Sequence, residues 1–316
     1  MIDFSNLPQK NKLYTGANGS KRGILYNDEL YMVKFPPFAQ INEAMSYANS
    51  CVSEYLGCHI FETVGIDVQA TLLGTYKVNG KEKIVVACKD FTRPGIVLQD
   101  FASLKNQVID TQQKGRGTEL NSIITTIHEQ SVFDANILER HFWDVFIIDA
   151  LIGNWDRHNG NWGFLYDELN DKHTLAPVYD CGSALYPQMD LTLMENVLQD
   201  NKEMELRIYE RPLSAILVNG KKINYFDFIS ALEIEECNSA LKRITPKIKL
   251  NDINNIIDDT PYISELQKTF YKKIIKERKE KIIDYALEQL LAREKEYDNS
   301  KKISKNKYKG FQEKER

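Results

Sequence analysis

The densest run of chemically capable side chains in these 316 residues is Gly153-Asn154-Trp155-Asp156-Arg157-His158-Asn159-Gly160-Asn161, followed by Ala176-Pro177-Val178-Tyr179-Asp180-Cys181-Gly182. Phosphoryl transfer from ATP asks little covalent chemistry of a protein. It asks for a divalent cation to neutralise phosphate charge and a carboxylate to orient the incoming hydroxyl. Mg2+ prefers hard oxygen ligands, usually one or two carboxylates completed by substrate phosphates. Asp156, Asn161 and Asp180 supply such a set.

If 162–166 and 174–179 pair as an antiparallel hairpin, the start of the first strand lies beside the end of the second, about 4.8 Å away. Asn161 and Asp180 then converge on one ion, with Asp156 at the apex of the preceding loop. Each residue alone reads as an ordinary turn former; the joint spacing favours a site. Upstream, Lys34 ends the apolar run Leu30-Tyr31-Met32-Val33. Glu54 shares a helix face with Tyr47, Cys51 and Cys58, where a carboxylate is costly unless paired. Lys34 is its natural partner, and the pair would hold the ammonium toward the phosphates of ATP. Before that strand, Tyr14-Thr15-Gly16-Ala17-Asn18-Gly19-Ser20-Lys21 could bring backbone amides to phosphate oxygens, although it is not a GxxxxGK[ST] loop. The histidines His59, His128, His141 and His173 have no usable partner spacing, and Trp155 and Trp162 read as packing around the loop.

These residues need a framework. Residues 23–26 and 30–35 flank the turn Asn27-Asp28-Glu29 and predict a hairpin. Residues 42–60 have helical spacing through Met45, Ala48, Val52, Tyr55 and Leu56, and strands are expected at 71–77 and 84–88 around Val78-Asn79-Gly80-Lys81. From about Leu98 the pattern turns helical. It is clearest at 137–152, apolar almost all round and closed by Gly153-Asn154. The layout is α+β: a strand-rich N-lobe (1–90), a helical C-lobe carrying the catalytic loop (91–292), and a flexible basic tail (293–316). A ligand cleft is expected between the lobes.

Net charge is −4, which argues against nucleic-acid binding by the body of the protein. The last 24 residues carry nine Lys/Arg against five Asp/Glu, so contact with nucleic acid or an acidic surface is left to the tail. No apolar run reaches the roughly 18–20 residues of a membrane helix, and no secretory signal opens the chain. Five cysteines without a CxxC pair read as buried thiols, so a cytoplasmic location is expected, with export by a signal-independent route still open.

Asp156-Arg157-His158-Asn159-Gly160-Asn161 resembles the DRHxxN catalytic loop shared by HipA-type kinases and phosphatidylinositol 3/4-kinases. Ala176-Pro177-Val178-Tyr179-Asp180 resembles the HipA form of the metal-binding aspartate motif, and Gly16-Ala17-Asn18 with Lys21 resembles the HipA nucleotide loop. Over about residues 10–290 the chain is most similar to the short, CtkA-type subgroup of that family. The resemblance implies a bilobal protein-kinase-like (HipA/PI3K-like) fold and an ATP- and Mg2+-dependent serine/threonine protein kinase. It implies Asp156 as catalytic base, His158 orienting the loop or a phosphate, and Asn161 and Asp180 as metal ligands. The ATP site it implies comprises Gly16, Ala17, Asn18, Gly19, Ser20, Lys21, Lys34, Glu54, His158, Asn161 and Asp180. A hinge at Ala87, Cys88 and Lys89 would hold adenine through backbone groups.

HipA-like kinases phosphorylate a serine near the nucleotide loop. This chain has Leu13 and Tyr14 at that place, so Ser20 or Thr15 becomes the expected autophosphorylation site. The implied partners are a protein presenting Ser or Thr and an antitoxin or regulatory protein, in a toxin or secreted-effector setting. Full-length HipA toxins carry a further N-terminal subdomain for which these residues have no room, and Cys181-Gly182 after Asp180 is nearer to the DFG of other kinases. A lipid or small-molecule kinase and a non-enzymatic binding module stay open as alternatives.

Overall fold

Tight turns with left-handed residues organise the N-terminal sheet. The computed structural model describes residues 2–14, 20–37, 48–109 and 113–312, the last eleven by backbone alone. A short strand, Gln9–Lys10 (β1), precedes the hairpin of Lys21–Tyr26 (β2) and Glu29–Lys34 (β3). Asn27 (φ 50°) and Asp28 (φ 61°) form its turn, in the backbone conformation that two-residue hairpins require. Helix α1 (Ser50–Thr63) follows, then a second hairpin of Thr71–Val78 (β4) and Lys81–Lys89 (β5), turning at Asn79 and Gly80 (φ 50° and 76°). The sheet order is β1-β2-β3-β5-β4.

The period of two along β3 and β5 separates two cores. Tyr31, Val33, Val85 and Ala87 pack with Phe4 and Ile24 on one face. Val86, Cys88 and partly buried Met32 pack with Val52, Leu56 and Phe61 of α1 on the other. Lys34, two residues after Met32, therefore falls on the α1 side. Helix α1 starts at Ser50, after a turn at Ala48 and Asn49, and runs three residues beyond the expected end; residues 42–47, Met45 and Tyr47 included, lie outside the described residues.

The C-lobe does not become helical at Leu98. Ile96–Asp100 (β6) is a strand, antiparallel to Gly163–Asp167 (β7), which pairs in turn with Lys172–Leu175 (β8). The helices Phe101–Val108 (α2), Leu120–Glu129 (α3) and Ala135–Ile152 (α4) lie between β6 and β7 in the chain. The expected strand 174–179 is shorter at its end: Pro177 offers no N–H to a ladder. Ala176 still donates to the Gly163 carbonyl at 3.0 Å, and Val178 forms a lone bridge with Val68.

Helix α4 is the axis of the lobe, with Leu138, Trp143, Ile147, Ile148 and Leu151 all buried. Asp134 caps its start by accepting from Ile137 N–H at 3.0 Å, and Gly153 (φ 62°) ends it. After it come Leu191–Gln199 (α5), Asn201–Glu205 (α6), the hairpin Leu213–Val218 (β9) and Lys221–Asn224 (β10), Tyr225–Ala231 (α7), Glu235–Ile244 (α8), Leu250–Asp259 (α9), Glu265–Arg278 (α10) and Tyr285–Gln312 (α11). Buried Arg278 of α10 donates Nε and Nη2 to the Ala150 carbonyl at 3.0 and 2.7 Å, pinning the end of α4 where the catalytic loop begins. Within the expected basic tail, α11 extends to Gln312. No described helix is long and apolar enough to cross a membrane.

Candidate active site

The catalytic loop hangs on a buried ion pair that begins in α4. Asp149 is buried in the last turn of that helix. Its carboxylate accepts from Arg157 Nε at 3.0 Å, Arg157 Nη2 at 3.2 Å and Asn154 Nδ2 at 2.9 Å. Arg157 Nη1 donates to the Asn161 carbonyl at 3.0 Å and to the Tyr179 carbonyl as well. One guanidinium thus ties the helix end, the loop and the segment before Asp180 together. Burial opposes the charge, but the Asp149 carboxylate outweighs it and holds the Arg157 pKa well above its ordinary value. Asn161 and Asp180 are neighbours through this fork as well as through the hairpin.

The N-lobe contributes the second cluster. Lys34 Nζ lies 3.1 Å from Glu54 Oε2 and 2.9 Å from Asp180 Oδ1, and Glu54 Oε1 accepts from Asp180 N–H at 3.1 Å. Burial disfavours the lysine charge, yet Asp180 and Glu54 outweigh it and keep the pKa well above normal. Lys34 in turn lowers the Asp180 pKa, so Lys34 and Asp180 are both charged at neutral pH. Lys34→Met should therefore cost up to about 3 kcal/mol, because Glu54 stays buried without its cation. Adding Glu54→Gln should recover most of that loss but no activity. Identical melting temperatures in the wild type and both variants would show that the pair carries no stability.

Close packing sets the height of this cluster. A Cβ on Gly57 of α1 would lie 2.6 Å from Cys181 Cβ, so only glycine lets the helix approach the residue after Asp180. Gly57→Ala should destabilise the protein by about 1–3 kcal/mol and move Glu54 away from Asp180. Cys181→Gly should restore part of the loss, read by thermal melting. A fully stable Gly57→Ala protein would contradict the close approach.

The Lys34–Glu54–Asp180 cluster and the loop that Arg157 anchors border one cleft of about 720 Å3, whose lining includes Lys21, Lys34, Asp156, His158, Asn161 and Asp180. That volume lies within the range of small-ligand pockets. Burial and the Asp180 charge raise the Asp156 pKa, while His158 and Lys222 oppose the shift. His158 Nδ1 accepts from Gly160 N–H at 3.0 Å, which shapes the tip of the loop. Asn161 donates Nδ2 to the Asp156 carbonyl at 2.8 Å, leaving its Oδ1 for a cation. Among the described residues no cluster of three or more His, Cys, Asp or Glu could hold a metal alone. One carboxylate plus one amide oxygen fits Mg2+ only if phosphates complete its shell.

Several expected residues stand elsewhere. Thr15, Gly16, Ala17, Asn18 and Gly19 lie outside the described residues. Ser20 is exposed, and its carbonyl accepts from Phe35 N–H at 3.1 Å. The residues expected to form the hinge do not line the cleft. Ala87 and Cys88 are buried inside β5 between β3 and β4. Lys89 has its N–H on the Ala70 carbonyl and its own carbonyl on Gln69 Nε2. The cleft is lined instead by Asp90, Phe91 and Thr92. Asp149 was not anticipated, although a carboxylate in an otherwise apolar helix signals a buried partner.

The HipA-like C-terminal domain family matches residues 11–260. This chain belongs to the HipA-like family. It is 49% identical over 276 residues to the serine/threonine-protein kinase CtkA of Helicobacter pylori, spanning 87% of this chain and 84% of that protein. The crystal structure of an H. pylori proinflammatory kinase CtkA has a similar fold, with a TM-score of 0.87 at 47% identity over 92% of this chain and 98% of that one. A structure of the Shewanella oneidensis MR-1 toxin–antitoxin system of HipA, HipB and operator DNA matches with a TM-score of 0.53 at 15% identity, over 88% of this chain and 68% of that one. That second likeness is one of fold. The HipA-like chain is a kinase with an α+β, bilobal architecture, and its DRHxxN loop is the segment that Arg157 anchors.

Proposed function

We propose that this HipA-like kinase transfers the γ-phosphoryl group of ATP to serine and threonine hydroxyls of proteins, with Mg2+ held by Asp180 and Asn161. The observation that carries the reading is the single cleft shared by N-lobe cations and C-lobe oxygens. Lys21 and Lys34 are direct cross-strand neighbours, and like charges so placed destabilise a sheet unless anions offset them. Glu54 and Asp180 balance those two charges, so the charge of an incoming triphosphate is left for Mg2+ to neutralise. Magnesium, when bound, neutralises phosphate charge. Asp156 accepts the proton of the incoming hydroxyl, Lys34 orients phosphate oxygens, and residues 90–92 border the adenine.

The protein acceptor is supported by the likeness to CtkA, named a serine/threonine-protein kinase. Self-phosphorylation at exposed Ser20, a toxin or effector role and an antitoxin or regulatory partner belong to the same proposal and rest on family kinship. Incubation with γ-labelled ATP and Mg2+, alone and with a bacterial lysate or phosphatidylinositol vesicles, tests the reading. Label should appear in precipitated protein and disappear with EDTA. Label confined to the organic extract would make it a lipid kinase.

A further inference from the structure

One short surface loop is held with unusual care. Gly115 (φ 74°) sits so close to α2 that a Cβ on it would lie 1.8 Å from the Ala102 carbonyl. Asn159, fully buried in the catalytic loop, donates Nδ2 to the Gly115 and Gly117 carbonyls, both at 2.8 Å. Lys105 of α2, 2% exposed, donates Nζ to the same Gly117 carbonyl at 2.5 Å. Asn159 also accepts from Ala102 N–H through its own carbonyl at 2.9 Å. Burying a lysine and an asparagine amide is costly, and here both are committed to the two carbonyls that flank Arg116.

Arg116 is exposed and lines the same cleft as Asp156 and His158. Other cations of that cleft are engaged: Lys12 with Asp90 at 2.7 Å, and Lys34 with Glu54 and Asp180. Among the described residues the Arg116 guanidinium makes no ion pair. Asp100, also on this wall, is committed to the start of α2, where its Oδ1 accepts from Ser103 N–H and Oγ. The Arg116 loop is fastened to the catalytic loop and α2, whereas Lys21 and Lys34 present the nucleotide cations from the N-lobe sheet.

We propose that Arg116 is a specificity residue, placed by Asn159 and Lys105 to bind an Asp or Glu carboxylate of the protein substrate close to its acceptor Ser or Thr. A guanidinium fork matches a carboxylate in two parallel hydrogen bonds. A loop tied to the residues between Asp156 and Asn161 keeps a fixed offset from the reacting hydroxyl. The proposal rests on the protein-kinase reading above.

Peptide arrays with one Ser or Thr, and Asp, Glu, Ala or Lys at each flanking position, test it with wild type, Arg116→Ala and Arg116→Glu. Wild type should favour an acid at one position by roughly fivefold to tenfold in kcat/KM. Arg116→Ala should flatten that preference and Arg116→Glu should turn it toward Lys, with the KM for ATP unchanged in both. Lys105→Met, which loosens the loop without touching Arg116, should weaken the preference in part. A wild type without acidic preference, or one whose preference survives Arg116→Glu, overturns the inference. So does a raised KM for ATP with the preference intact, which would assign the guanidinium to the nucleotide. In each of these outcomes peptide phosphorylation persists, so the kinase reading stands. Absence of transfer to any peptide or protein would instead remove that reading and the inference together.

Discussion

On the roles proposed above, Asp156→Asn should bind Mg-ATP nearly as wild type does yet turn over at least about a hundredfold more slowly, because the carboxylate would act only on the incoming hydroxyl. Asp180→Asn should instead lose magnesium-dependent nucleotide binding, since it would remove the carboxylate proposed to hold the ion. Asparagine is the suitable replacement at 180, where φ is 58°, because it tolerates the left-handed region better than most residues. The two variants thus separate chemistry from metal binding without a backbone effect. Calorimetry should show wild-type affinity in the first and a large loss in the second. Equal losses in both would contradict the separate roles.

Arg157→Met should be among the most destabilising single changes in the C-lobe. It leaves the Asp149 carboxyl 1% exposed without its cation, and breaking a buried pair in this way costs about 3–5 kcal/mol. It also frees the Asn161 and Tyr179 carbonyls, so activity should fall even where the variant stays folded. Arg157→Lys should rescue little: a single ammonium cannot serve a carboxylate and two carbonyls in one plane. Asp149→Leu combined with Arg157→Met should regain much of the stability while staying inactive. Urea unfolding and phosphate transfer read the two effects separately. A loss below about 0.5 kcal/mol in Arg157→Met would show that the pair is not structural.

The parts of the site that were readable in the sequence are those set by local rules. Asn27-Asp28 and Asn79-Gly80 announce their hairpins, α4 announces itself by an apolar surface and a closing glycine, and Glu54 on an apolar helix face demands the lysine it meets at 3.1 Å. Other features depended on tertiary partners. Ile96–Asp100 becomes a strand because β7 is beside it, and nothing in Ile-Val-Leu-Gln-Asp alone separates strand from helix. That Ala87, Cys88 and Lys89 sit away from the cleft follows from β5 being paired with β3 through Lys89 and with β4 through Cys88, which depends on where β3 and β4 end. One signal was present and passed over. Val218-Asn219-Gly220-Lys221 repeats the Val78-Asn79-Gly80-Lys81 turn, and its Asn219 and Gly220 (φ 52° and 75°) form the β9–β10 hairpin.

Phosphoamino-acid analysis of a bacterial lysate incubated with the purified protein, Mg2+ and γ-labelled ATP is the most direct measurement of what this cleft does. Wild type should produce phosphoserine or phosphothreonine on protein, and Asp156→Asn should leave the lysate at background. Equal labelling by the two proteins, or labelled phosphate on lipid alone, would contradict phosphoryl transfer to protein hydroxyls through Asp156.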